Sequence, residues 1–115
     1  MRTIDVLFML VVIITSPIIH TAVHELTHVV MVTLFEPNAR IVSIHLFDRY
    51  CISNGTLGMV IVEGKTILSV ETHEFIAYFT STFILTIYLA FFIKKYVEMK
   101  NEIHKQGILK EHSNK

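Results

Sequence analysis

Residues 6–24, VLFMLVVIITSPIIHTAVH, contain no Asp, Glu, Lys or Arg. No other feature constrains the chain so tightly, because helices of soluble cores rarely stay uncharged for nineteen residues. After Glu25 the apolar character resumes and holds to Phe35. As one helix, residues 6–35 would reach about 45 Å at about 1.5 Å per residue, beyond the ~30 Å hydrocarbon core of a bilayer. Pro17, behind Thr15 and Ser16, predicts a kink in it, since proline removes a backbone donor. Glu36-Pro37-Asn38 predicts its end.

A second uncharged run of nineteen residues, FIAYFTSTFILTIYLAFFI, occupies 75–93, with His73-Glu74 before it and Lys94-Lys95 after it. Two such runs in 115 residues, with 52% hydrophobic residues and a mean hydropathy of +0.55, predict a multi-pass integral protein of the cell membrane. The first run follows Met1-Arg2 closely, but its length and the lack of a small-residue cleavage site argue against a secretory signal. Thr80, Ser81, Thr82 and Thr86 are small polar residues able to face the first helix.

Between the runs, residues 39–70 are rich in β-branched residues, with Ser53-Asn54-Gly55 and Glu63-Gly64 as turn signals. They predict a short antiparallel hairpin or three-stranded sheet. In its first strand Ile41, Ser43, His45 and Phe47 share one face, and Arg40, Val42, Ile44 and Leu46 the other. Residues 94–115 read as a charged helical tail with a frayed end. The fold class expected is therefore α-helical and membrane-integral with a small β element, in a single domain. The net charge of zero gives no basic field for nucleic acid. Cys51 is the sole cysteine, which excludes an internal disulfide and reads as a small structural thiol.

The stretch HTAVHELTHVV at 20–30 sets ionisable groups inside the first apolar run. On a helix, residues four apart stand about 40° apart in azimuth and about 6 Å along the axis, so His24 and His28 can reach one ion. His24-Glu25-x-x-His28 is the pattern in which two histidines bind Zn2+ and the glutamate handles the proton of a metal-bound water. Membrane burial sharpens the expectation, because a carboxylate at mid-bilayer costs on the order of 2.5–3.5 kcal/mol. Pairing of Glu25 with a histidine, as glue between helices, is the structural alternative.

HELTHVVMVTLFEPNARIVSIHLF resembles the first core segment of site-2-protease-like intramembrane zinc metalloproteases, where HExxH in a membrane helix precedes strand-rich sequence. ETHEFIAYFTSTFILTIYLAFF is similar in position and character to that family's next helix. The resemblance spans residues 8–93, and HExxH is its one specific motif. It implies His24 and His28 as zinc ligands, Glu25 as catalytic base, and hydrolysis of a membrane protein or peptide substrate in or near the lipid bilayer. The family's third ligand is an aspartate in a later Leu-Asp-Gly element, which this chain lacks. Asp5 and Asp48 are its only aspartates, and neither has that context. Glu74, Glu71, His73 and His20 are the substitutes within the chain, and Glu74 resembles in role the downstream glutamate of other HExxH proteases. A ligand from a second copy, in a homo-oligomer, is the remaining source. A non-proteolytic relative, acting as a membrane interaction or regulatory protein, is the alternative function. His45, His104 and His112 are scattered without ligand spacing and add no second site.

Overall fold

The structure is a computed structural model and describes residues 2–114. Met1, and Lys115 at the end of the predicted tail, lie outside the described residues. The elements in chain order are α1 (Thr3–Phe35), β1 (Ala39–Leu46), α2 (Arg49–Ser53), β2 (Gly58–Gly64) and α3 (Val70–Ser113). The molecule is a rod of 75 × 28 × 18 Å, in which α1 and α3 form a long antiparallel pair and the strands sit against α1 near its C-terminal end.

α1 passes through Pro17 without interruption of the helix. Proline deprives one carbonyl of its partner but tolerates a helix where neighbouring packing holds the backbone. α3 starts earlier than the apolar run 75–93 does, because Ser69 accepts the Thr72 N–H and caps it. It then runs without a break into the predicted tail, giving one helix of 44 residues. Both helices are long and apolar enough to cross a membrane.

A series of polar and aromatic contacts fixes how α1 and α3 align. At one end Asp5 accepts from Lys100 Nζ at 2.8 Å and from the Tyr96 hydroxyl, and Phe8 packs on Phe92 and Tyr96. Further along, the Thr15 and Tyr88 hydroxyls pair at 2.7 Å, and His20 Nε2 meets Ser81 Oγ at 3.1 Å. Ser81 and Ala77 are fully buried, so the small residues of α3 do face α1. Thr82 and Thr86 do not: both lie on the outer face of α3. Large side chains such as Leu7, Ile13, Phe79 and Phe83 point away from the pair and are exposed.

The sheet has two strands, not three. β1 and β2 pair antiparallel from Ala39 opposite Gly64 to Leu46 opposite Gly58, with a bulge at Val42. The expected alternation holds within β1, with Ile41, Ser43 and His45 turned inward and Val42, Ile44 and Leu46 outward, but Phe47, expected on the first face, lies past the strand end at φ +54 and is exposed. Between the strands the chain makes a helix of five residues, which the turn signals there did not predict. Asp48 caps it by accepting the Cys51 N–H at 2.9 Å, and also takes His45 Nδ1 at 2.6 Å. Gly55, at φ +72, then reverses the chain toward β2. Cys51 is completely buried, and that burial, with Asp48 beside it, raises its thiol above the usual range.

Glu36, at the C-terminal end of α1, clamps the whole assembly together. Its carboxylate is 1% exposed and accepts the Ile67 N–H, the Leu68 N–H at 3.1 Å and His73 Nε2 at 2.8 Å. One side chain thereby joins α1, the strand-to-helix connection and the first turn of α3. The Ile67 N–H above all, then His73 and the Leu68 N–H, hold the Glu36 carboxyl below the ordinary carboxylate range. A carboxyl depressed in the folded state contributes stability above its unfolded value of about 4.3, and loses it as pH falls through the folded value. Melting curves recorded between neutral and acidic pH should therefore show Glu36→Gln less stable at neutral pH, with a flatter acid limb than the parent. Parallel curves for the two proteins would contradict this.

Candidate metal centre

His24 and His28 occur one turn apart on the face of α1 that meets α3, and the start of α3 brings Glu74 to them. His24 Nε2 is 3.2 Å from His28 Nε2 and 3.3 Å from Glu74 Oε2, and His28 Nε2 is 3.2 Å from Glu74 Oε1. One donor atom from each residue lies within 4.8 Å of the others. The carboxylate straddles the histidines, one oxygen toward each ring.

The spacing suits a small divalent ion. With metal–ligand bonds of about 2.0–2.1 Å, two donors on one tetrahedron stand about 3.3 Å apart. Two imidazoles and one carboxylate are also a donor set of catalytic zinc, which leaves a fourth position for water or substrate. As a hydrogen-bonded cluster the arrangement is less satisfactory. Each Nε2–H can be given to the carboxylate, but the two ring nitrogens then face each other at 3.2 Å with donors on both.

Of the four substitutes, Glu74 is the one the structure brings to His24 and His28. His20 is bonded to Ser81, His73 Nε2 is committed to Glu36, and Glu71 is exposed in the first turn of α3. The neighbours still shape the site. The Tyr78 ring lies 4.4 Å from that of His24, and the His73 ring stacks on His28 at 6.2 Å. Nδ1 of His24 is buried without a hydrogen-bond partner among the described residues, so packing against Tyr78 and His28 holds this ring.

Glu25 is 7% exposed and borders the same cleft as His28 and Glu74, a space of about 400 Å3 walled on its other side by β2. The approach of β2 is very close. A Cβ on Gly58 would lie 2.7 Å from both Glu25 Cγ and Thr21 Cγ2, so only glycine lets the strand start there. Gly58, Glu36 and Tyr78 were not anticipated as parts of the site. Glu36 reads in sequence as a helix stop, and a lone glycine before VIV reads as a strand boundary. Only the juxtaposition of distant segments exposes their roles.

Comparison with protein-family models, with curated proteins and with solved structures finds no match. The chemistry of the site therefore rests on its own geometry. Removing Glu74 should cost more zinc affinity than the about 10–100-fold typical of losing a supporting hydrogen bond. Competition with a chromophoric chelator should show that loss for Glu74→Ala and none for Glu71→Ala. Equal behaviour of the two variants would exclude Glu74 as a ligand.

Proposed function

We propose that this chain is a membrane-embedded zinc metallopeptidase. The observation that carries the reading is the triangle of His24, His28 and Glu74 donors, two of which, His28 and Glu74, border one cleft with Glu25. A zinc ion there would supply Lewis acidity, lowering the pKa of a bound water to about 7.

The residues of the chain account for the rest of the reaction. Glu25 is the base: it takes a proton from the attacking water and returns it to the departing amine. Its side chain lies against Gly58 at the border of the cleft. Among the described residues β2 pairs with β1 alone, so its other edge is open to a further strand. Gly58, Met59, Val60 and Val62 of that strand line the cleft. An extended peptide added to this edge would run past Glu25, with its backbone held and its side chains alternating in direction.

The membrane assignment is supported by the two long apolar helices, whose large outward side chains are uncovered. The relation to site-2 proteases rests on HExxH in an apolar helix followed by strands, and the glutamate donor departs from that family's aspartate. The non-proteolytic alternative rests on the lack of the Leu-Asp-Gly aspartate, and the presence of Glu74 beside the two histidines favours the peptidase reading. Detergent-solubilised protein loaded with zinc should cleave an unstructured peptide library. Glu25→Gln should lower the rate by about 10²–10⁴-fold while zinc remains stoichiometric, as expected for loss of a general base alone. Unchanged cleavage by Glu25→Gln would defeat the reading.

A further inference from the structure

The positions of charge on the two long helices locate the candidate centre along the membrane axis. On α1, Asp5 and Glu25 bracket the uncharged run 6–24; on α3, Glu74 and Lys94 bracket 75–93. Each bracket is twenty residues, about 30 Å along a helix, which is one hydrocarbon thickness. The two runs need not have coincided in space, but the contacts between the helices align them. Asp5 meets Tyr96 and Lys100 at one end, Thr15 meets Tyr88 in the middle, and His24 meets Glu74 at the other. The pair therefore carries a single uncharged slab with the metal donors at one boundary.

Sliding the bilayer to centre it on the donors would be costly. It would draw Glu71, Glu36 and the β1–β2 sheet into hydrocarbon while leaving Phe8, Phe91 and Ile93 in water. An open two-stranded sheet has unpaired N–H and C=O groups on both edges, and these find no partner in lipid. The Arg40–Glu63 pair on its outer part, with side chains 78% and 61% exposed, would lose its hydration in lipid. Every one of these groups favours the same placement.

We infer that the centre acts at the membrane–water boundary, on the segment of a membrane-anchored polypeptide that has just left the bilayer. This rests on the peptidase reading above and gives it a substrate class. A bond in mid-bilayer would lie about 15 Å from the donors, half the slab away. A segment emerging beside Glu74 meets the open edge of β2 at once. It is already free of the helical hydrogen bonds that shield a spanning segment from attack, so the site need not unwind a helix in lipid.

The chain contains no tryptophan, so depth can be read from single introduced residues. Phe75 and Phe83 are 71% and 58% exposed on the outer surface of α3, the first beside Glu74 and the second about 12 Å further along the helix. The full-length variants Phe75→Trp and Phe83→Trp are reconstituted in phosphatidylcholine vesicles with bromine either near the headgroups or near the chain ends. Phe75→Trp should be quenched more by shallow bromine and Phe83→Trp more by deep bromine. Stronger deep quenching of Phe75→Trp, or no quenching of either variant, would overturn the placement. In a second arm the zinc-loaded parent protein is co-reconstituted with a single-span model polypeptide bearing an unstructured tail, and the products are mapped by mass spectrometry. Cuts within the first few residues outside the apolar span support the substrate class, and cuts near its middle overturn it. Shallow quenching with no cleavage would defeat the peptidase reading and its substrate class together, while the depth of the donors would stand.

Discussion

The alignment of α1 with α3 is the constraint from which the remaining features follow. Asp5 with Tyr96 and Lys100 at one end, and Glu36 with His73 at the other, leave the helices no freedom to slide by a turn. A displacement of one turn would move Glu74 about 5 Å from the histidines and dissolve the donor triangle. It would also bring charge from one helix level with the uncharged run of the other. The alignment that assembles the donors is thus the one that gives the pair a continuous apolar surface. The donor cluster and the apolar outer surface are consequences of one packing arrangement.

The clamp at Glu36 extends this control to the strands. A buried carboxylate without partners would be destabilising, but here two backbone N–H groups and an imidazole satisfy it. Because those partners come from the connection after β2 and from the residue before Glu74, the clamp positions the far wall of the cleft and the third donor together. Gly58 completes the arrangement by letting β2 rest on Glu25 with no side chain between them. Few apolar residues are buried, with Met31, Val32, Cys51 and Ala77 making up the core among the described residues. In this chain the polar contacts set the geometry and the apolar residues face outward.

Some of this was legible in the sequence, for identifiable reasons. Uncharged runs and the four-residue spacing of His24 and His28 are local properties that a helix converts directly into length and direction. Alternation in β1 likewise predicted which of its side chains share a face, while contact with α1 decides which face turns inward. The partner of the two histidines was not local. Glu74, Glu71 and His73 lie within four residues of one another, and only the phase of α3 against α1 decides which of them faces the site. That phase is fixed by Ser81, Ala77 and His73 packing inward, through contacts between segments some sixty residues apart in the chain. The helix at Arg49–Ser53 escaped for another reason. Its signal is Asp48 as a cap, and Asp48 serves equally well in the turn that the neighbouring Asn-Gly suggests.

X-ray absorption at the zinc edge of the loaded protein reads the donor set itself. One zinc per chain is expected, with two imidazole nitrogens at about 2.0–2.1 Å, carboxylate oxygen in the same shell and no sulfur. In Glu74→Ala the imidazole scattering should persist while the light-atom shell changes. A sulfur ligand at about 2.3 Å, or a shell without imidazole, would show that zinc binds elsewhere and would contradict the account.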